Sequence, residues 1–548
     1  MSVAGDETLR PNIIFILTDD QDKILHSLDS MPRLRELLAD RGTRFENAFV
    51  ATPICCPSRS TILTGRYAHN NGAVNNSISG ECSSPHWQQT QEPLTFPNLL
   101  HNNGYRTMFA GKYLNQYGVN ATGGPAHVPP GWDWWAGLID PTGEHYYYNY
   151  DISINGTRVR HGNTLPDYLT SVIEENAIQF LQSSAISNQP FFMMLCPTAP
   201  HYPYSFLPEF KNNFTGKIAP RTPNYNHHSD DKHWLIRVKP IKLPQKTLDW
   251  VDSIFRNRWR ALQSVDAMIA KLVTELSQRN LLQNTIFVYS SDNGFQLGQF
   301  CLPYDKRQPY EFDIRVPFVV AGSGLAKGTV RYEPVVSIDI APTILDFANV
   351  PPSQAPWLDG RSLKPLLASN SDSGGANSST WRSKFLVEYW GEGPRPSDTE
   401  LTQGQLTLKQ FSNSNYSFKK LLKSYTHPQA QVENSPVEWK TDGYMRATRL
   451  VTPNCAGHSV EFGWCSMALD AWNNTYSCIR KLSTESNEIY CEFVDNENFC
   501  EYFNLKNDSF QLTNRVQSLT QSKLQQLHIE LKLLKGCRGS SCRTFDSD

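Results

Sequence analysis

Two polar pairs stand at the ends of apolar runs. In NIIFILTDD, Asp19 and Asp20 follow the run from Ile13 to Leu17; in NTIFVYSSDNG, Asp292 and Asn293 close a run of the same character. Hard divalent cations take several oxygen ligands, and a carboxylate pair with a carboxylate–carboxamide pair supplies them. Either pair alone reads as turn and capping chemistry. Both together, at like ends of buried strands, read as a cation site, calcium by preference, with magnesium left open by ligand type.

A second constellation is TPICCPSRSTILTGRY, from Thr52 to Tyr67. Adjacent cysteines resist pairing with each other, and zinc prefers a wider spacing. Pro57 suits the first turn of a helix that continues through Ser60, Thr61, Ile62 and Leu63 to Gly65. Cys55 then sits at or just before a helix N-terminus, where free N–H groups and partial positive charge suit a tetrahedral oxyanion. Arg59, in the first turn, reaches the same anion. Cys56 reads as a small buried spacer.

Parallel strands must position these groups. NIIFILTDD, PFFMMLCPTAPH and NTIFVYSSDNG are uninterrupted apolar runs, as in a sheet buried on both faces. Each ends in polar side chains, PFFMMLCPTAPH reaching His201, and open α/β sheets bind ligands beyond the carboxyl ends of their strands. The segment LDWVDSIFRNRWRALQSVDAMIAKLVTELSQ predicts a crossover helix with Val265, Met268, Ile269, Leu272 and Leu276 on one face. MPRLRELLADRG predicts a shorter helix stopped by Gly42, and RVPFVVAG a further strand. The polar stretch from Leu367 to Ser379 reads as a surface loop near a boundary, and the segment from Arg395 to Val432 carries no assignable element. KFLVEYWGEG, a hairpin around Tyr476–Ile479 and Ile489–Phe493, and a helix in SKLQQLHIELKLLKG complete the chain. The expected domains are 1–380, catalytic, and 381–548, smaller.

The chain has 548 residues, 39% of them hydrophobic and 19% charged, with a formal net charge of −2. No basic excess points to nucleic acid, so an anionic substrate has to meet local cations. No apolar run reaches membrane-spanning length. MSVAGDETLRPN shows no hydrophobic leader. Sequons at Asn75, Asn120, Asn155, Asn213, Asn377, Asn415, Asn473 and Asn507 point instead to the secretory pathway. So do the cysteines beyond residue 450, namely Cys455, Cys465, Cys478, Cys491, Cys500, Cys537 and Cys542, which read as disulfide staples. The expectation is a lysosomal or secreted protein whose signal peptide is absent from this sequence.

Cys55-Cys56-Pro57-Ser58-Arg59 followed by Leu63-Thr64-Gly65-Arg66 resembles the signature of the sulfatases. The resemblance runs through FAGKYLNQYG, HVPPGW, KHWLIR, DKRQPYEFDIRVP, WRSKFLVEYWGEG and NNTYSCIR, and is similar in detail to the glucosamine-6-sulfatase branch. It implies an α/β, alkaline-phosphatase-like sandwich: a large mixed, mostly parallel central sheet flanked by helices, plus a smaller C-terminal α+β subdomain with an antiparallel sheet. It implies that a formylglycine-generating enzyme converts Cys55 to formylglycine, whose hydrate supplies the nucleophile. It implies one divalent cation, calcium by preference, held by Asp19, Asp20, the group at Cys55, Asp292 and Asn293. It adds Arg59, Lys112 and Lys306 as cations on the sulfate, Asp292 as the base, and His201 or Lys306 at the leaving oxygen. Lys112, His201 and Lys306 taken singly would read as solvated or satisfied polar residues. Many sulfatases carry a histidine where this chain has Leu114, so that histidine's role does not carry over.

The substrate implied is a sulfated glycosaminoglycan, heparan or keratan sulfate, losing the 6-O-sulfate of N-acetylglucosamine. Endo-acting heparan 6-O-sulfatase, arylsulfatase and a non-catalytic glycosaminoglycan-binding protein are the alternatives, and a homodimer stays open. Asn115, His201, Lys306 and the segment DDKHWLIR are candidate sugar contacts. The clusters YAHNNGAVNN and GWDWW read equally as sugar pocket or as packing.

Overall fold

The computed structural model describes residues 10–140, 147–183, 189–237, 241–368, 381–392, 474–495 and 497–544. The expected boundary loop past position 368, the segment from Arg395 to Val432, Cys455, Cys465 and the sequons at Asn377, Asn415 and Asn473 lie outside the described residues. The strands are β1 (Asn12–Thr18), β2 (Thr43–Phe45), β3 (Ala48–Phe49), β4 (Arg106–Gly111), β5 (Trp134–Leu138), β6 (Asp151–Ile154), β7 (Thr157–Arg160), β8 (Phe191–Cys196), β9 (Thr285–Ser291), β10 (Phe318–Gly322), β11 (Thr329–Arg331), β12 (Val335–Val336), β13 (Lys384–Tyr389), β14 (Tyr476–Leu482), β15 (Asn487–Phe493) and β16 (Cys500–Asn504).

Ten strands form one mixed sheet in the order β11-β2-β10-β9-β1-β8-β4-β5-β6-β7. The central five, β9, β1, β8, β4 and β5, run parallel, as continuous apolar runs buried on both faces require. Antiparallel β10 and β6 flank them. Side chains alternate between two layers. Ile13, Phe15, Leu17, Phe109 and Phe192 share one core with Ile62 and Leu63 of the helix Cys55–Thr64. Ile14, Ile16, Met108, Met193 and Leu195 share the other with the helix Gln245–Gln278. That helix buries Val265, Met268, Ile269, Leu272 and Leu276, the expected stripe. Burying each such side chain contributes roughly 1.5–3 kcal/mol. Two packed layers thus fix the strand ends that carry the polar groups.

The first helix, Pro32–Leu37, ends short of Gly42, the expected stop, and a 3₁₀ turn over Ala39–Arg41 fills the interval. Gly42 has extended backbone, not the left-handed conformation of a helix cap. A Cβ there would lie 2.3 Å from the Val320 carbonyl oxygen and 2.6 Å from Ala321 Cβ, so the close approach of β10 requires glycine.

The second sheet is antiparallel, β13-β14-β15-β16, and contains the expected hairpin. Cys478–Cys491 joins facing residues of that hairpin. The helix Gln521–Gly536 lays Leu524, Leu527, Leu531 and Leu534 against β13 and β14, and Cys537–Cys542 follows it. Cys500 is buried at the start of β16. Among the described residues no helix is long and apolar enough to cross a membrane.

Buried polar pairs join this sheet region to the 3₁₀ turn Ser337–Asp339 and the short helix Glu311–Ile314 of the larger part. Arg382 grips Asp339 with two bonds of 2.6 and 2.7 Å, and Arg480 Nε donates to Glu311 at 2.9 Å. Tyr310 donates its hydroxyl to Glu501, which also accepts from the His233 backbone N–H. Burial pushes the Glu501 carboxyl up to about 7 from the ordinary 4.5, against the pull of Lys232. Below pH 4.5 the group is neutral folded and unfolded alike and its contribution to stability is fully present. That contribution is lost as pH rises through about 7, where the fold must hold a buried anion. We expect the thermal midpoint to fall across this window, and Glu501→Gln to remove on the order of 3 kcal/mol of the fall. Superimposable midpoint–pH profiles for the two proteins would refute this.

Candidate active site

The carboxyl ends of four parallel strands bring the site together. Register pairs Thr18 with Ser291, so Asp19 and Asp292 leave β1 and β9 side by side; the Asp292 N–H bonds the Thr18 carbonyl at 3.2 Å. The Asp19 N–H reaches the Ala199 carbonyl after β8, and the Lys112 N–H, just past β4, reaches the Cys196 carbonyl at 2.9 Å. Backbone bonds between adjacent strands therefore set the spacing of Asp19, Asp20, Lys112, His201 and Asp292.

Cys55 is the first residue of the helix Cys55–Thr64, whose C-cap is Gly65 in the left-handed conformation, as the motif predicts. Arg59 is buried one turn on. Its Nε donates to Asp292 Oδ2 at 2.8 Å and its Nη1 to the Lys112 carbonyl at 2.8 Å. Burial alone would lower the guanidinium, yet Asp292 and Asp19 raise it. Lys112 Nζ donates to Asp19 Oδ2 at 2.7 Å, and Lys306 Nζ to Asp20 Oδ2 at 2.7 Å. Both lysines are raised, their carboxylates overcoming burial. Lys306 is aimed by strained backbone: its neighbours Asp305 and Arg307 have φ of 131° and 97°, conformations that L side chains rarely adopt. Asp20 is left-handed too, with φ 65°.

His201 Nε2 lies 3.6 Å from Asp20 Oδ2. Burial, opposed by Asp20, pushes its imidazole down to about 4. Its Nδ1 lies 2.8 Å from the Tyr202 carbonyl; a carbonyl only accepts, so Nδ1 carries the proton and Nε2 a lone pair. Asp292 is pushed up, first by burial and then by the Asp19 charge.

Ligand atoms of Asp19, Asp20, Cys55 and His201 all lie within 4.8 Å of one another. Asn293 Nδ2 donates to Asp20 Oδ1 at 2.8 Å, while its Oδ1 is buried with no hydrogen-bond partner. An orphaned amide oxygen among carboxylates is the donor set a hard divalent cation takes. The residues therefore fit such an ion, and His201 joins the oxygen ligands read from sequence.

Other expectations are relocated. Cys56 is no spacer: it forms a disulfide with Cys82, and its N–H donates to Asn76 Oδ1, fixing the loop beside Cys55. In the DDKHWLIR segment two side chains face inward. Lys232 and His233 are fully buried against the second sheet, Lys232 over the Phe503 ring and His233 bonded to Asp495. In GWDWW, Trp135 stacks on Phe109 in the core. In YAHNNGAVNN, His69 bonds Glu388 and Asn70 bonds Asp359. Leu114 is core, and Asn115 is buried on the loop after β4 with its Oδ1 unpaired. Arg258 was missed. Buried on the helix Gln245–Gln278, it donates to the Asp20 carbonyl and to Asp22 Oδ1, each at 2.7 Å, and reaches the Pro200 carbonyl. It thus ties the Asp20 and His201 loops together. An arginine among Ile254, Phe255 and Leu262 on the apolar face was the available signal.

Comparison with known proteins supplies the remaining context. The family described as Sulfatase matches residues 11–350. N-acetylglucosamine-6-sulfatase of Capra hircus is 39% identical over 549 residues, covering 99% of this chain and 87% of the relative. The protein of the same name from Homo sapiens is 39% identical over 542 residues, covering 98% and 86%. A solved structure described as in complex with its substrate D-glucosamine-2-N,6-O-disulfate superposes with a TM-score of 0.67 at 22% identity, over 98% of this chain and 100% of that one; at that identity the likeness is one of fold.

Proposed function

We propose, on the premise that this chain belongs to the sulfatase family of sulfate ester hydrolases, that it removes the 6-O-sulfate of N-acetylglucosamine from heparan or keratan sulfate. The observation that carries the chemistry is the convergence of Cys55, three carboxylates, Asn293 and three buried cations at one sheet end. The substrate class rests on the identity to N-acetylglucosamine-6-sulfatases over nearly the whole chain. Disulfides at Cys56–Cys82, Cys478–Cys491 and Cys537–Cys542 support maturation in the secretory pathway, followed by a lysosomal or extracellular location.

When present, formylglycine at position 55 supplies the nucleophilic hydroxyl, and a divalent cation, calcium by preference, held by Asp19, Asp20, Asp292, Asn293 and the group at 55, supplies positive charge toward the sulfate. The chain's own residues do the rest. Arg59, Lys112 and Lys306 are cations already fixed by carboxylates, so they face a sulfate without reorganising. Asp292, raised by burial and by Asp19, is placed to take the attacking group's proton. His201 presents a lone pair at Nε2 and suits an accepting or ligating role. Lys306 keeps its proton and is the group we assign to the leaving sugar oxygen. Asn115, buried with an unpaired Oδ1, remains our candidate sugar contact.

Turnover of 6-sulfated N-acetylglucosamine should exceed that of an internally 6-sulfated heparan oligosaccharide and of an aryl sulfate. Preference for the oligosaccharide would make the enzyme endo-acting, and preference for the aryl ester would make it an arylsulfatase. No turnover of any sulfate ester would leave a glycosaminoglycan-binding protein.

A further inference from the structure

An aromatic side chain stands exposed directly beside a buried residue of the site. Tyr202 follows His201 directly, and consecutive Cα atoms are about 3.8 Å apart. Yet His201 is buried at 5% exposure and Tyr202 is 54% exposed. The Tyr202 ring is not loose. It meets Tyr204 edge-to-face, at 5.7 Å and 90°, and buried Tyr204 meets Phe295, two residues past Asn293. Another tyrosine, Tyr304, stands two residues before Lys306 and is braced edge-to-face on Trp250. The turn itself is pinned. Its carbonyl faces His201 Nδ1, the Tyr204 N–H bonds the His201 carbonyl at 3.0 Å, and Tyr147 donates its hydroxyl to that same carbonyl at 2.9 Å.

Tyr202 therefore stands on the His201 turn at the rim of the buried site, its ring braced through Tyr204 against Phe295 beside Asn293. An exposed ring one residue from buried His201 is within reach of a sugar whose ester is held at the site. A pyranose offers a face of C–H groups with hydroxyls around its edge. A rigid, amphipathic ring meets such a face at small entropic cost. We propose that Tyr202 is the stacking platform for the pyranose that bears the sulfate ester, and so a specificity-determining residue. This rests on the sulfatase reading of the site and adds which surface selects a cyclic sugar.

The test is steady-state kinetics of wild type, Tyr202→Ala and Tyr202→Phe on a panel of 6-O-, 4-O- and 2-O-sulfated pyranosides and a short alkyl sulfate. Desulfated N-acetylglucosamine serves as competitive inhibitor. Tyr202→Ala should raise KM for the preferred sugar sulfate about tenfold, and the sugar's inhibition constant in parallel, with kcat changed far less. Tyr202→Phe should retain both constants, and the penalty should shrink for the alkyl sulfate, which has no ring to stack. An unchanged KM in Tyr202→Ala overturns the platform. So does an equal fall of kcat on sugar and alkyl substrates, which would mean that Tyr202 acts only by holding His201. Should wild type prefer another sulfated pyranoside over N-acetylglucosamine 6-sulfate, the 6-sulfatase reading fails while the platform is judged by the same KM comparison on that sugar.

Discussion

Cys55→Ala protein from a secretory host is expected to fold and to lose turnover by about a million-fold, or to below detection, in the range that removing a nucleophile costs. The reason lies in what an ordinary cysteine does at this place. Burial pushes the Cys55 thiol up to about 12, with Lys112 and Lys306 only partly opposing it. At neutral or acid pH it is an un-ionised thiol, a poor nucleophile and a poor ligand for a hard cation. A carbonyl hydrate has no such handicap. It is neutral, offers oxygen to a cation and is deprotonated only as it reacts. Peptide mass analysis across Thr52–Arg59 should accordingly show the aldehyde at position 55 in active wild-type protein. The fold should tolerate Cys55→Ala, because Cys56–Cys82, the Asn76 bond to the Cys56 N–H and the packing of Ile62 and Leu63 all remain. Active wild type with an unmodified thiol, or a Cys55→Ala variant with measurable turnover, would overturn the assigned nucleophile.

Where a reading depended on local chemistry, the sequence disclosed it. Asp19, Asp20, Asp292 and Asn293 were visible because a doubly buried parallel strand is a continuous apolar run, and its last polar residues stand out against it. Cys55 was visible because proline near the start and glycine after the end delimit a helix. What stayed hidden depended on long-range proximity. Cys56 and Cys82 are 26 residues apart, and only the folded chain brings their Cα atoms to 6.0 Å. Arg258 is one of many arginines until the Asp20 carbonyl and Asp22 appear beside it. Lys232 and His233 read as candidate sugar contacts because cations and aromatic rings serve polar recognition and domain seams alike; only the folded chain shows these two side chains buried against Phe503 of β16 and Phe493 of β15. Trp135 was ambiguous for the same reason, since a core and a sugar pocket use the same side chains.

Metal removal is expected to have the second largest effect. Three carboxylates, Asp19, Asp20 and Asp292, converge with the three cations Arg59, Lys112 and Lys306 bonded to them, so these charges balance and leave no net positive charge with which to receive a sulfate. A divalent cation would change that sign, and the loss of one such charge from a buried site costs several kcal/mol of transition-state stabilisation. Exhaustive dialysis against a chelator should therefore lower kcat/KM by roughly a thousandfold. The thermal midpoint should fall as well, because an ion bound only by the folded chain, at a hundred times its dissociation constant, contributes about 2.7 kcal/mol. Calcium should restore both quantities. Chelator selective for calcium should act like a general one, and magnesium should restore less, since many oxygen ligands in an irregular arrangement suit the larger ion. Asp20→Asn removes one ligand charge and should blunt the midpoint's response to calcium even where its activity is too low to measure. Full activity in protein shown by elemental analysis to be metal-free would refute the cation site, and a midpoint in Asp20→Asn as responsive to calcium as that of wild type would place the ion elsewhere.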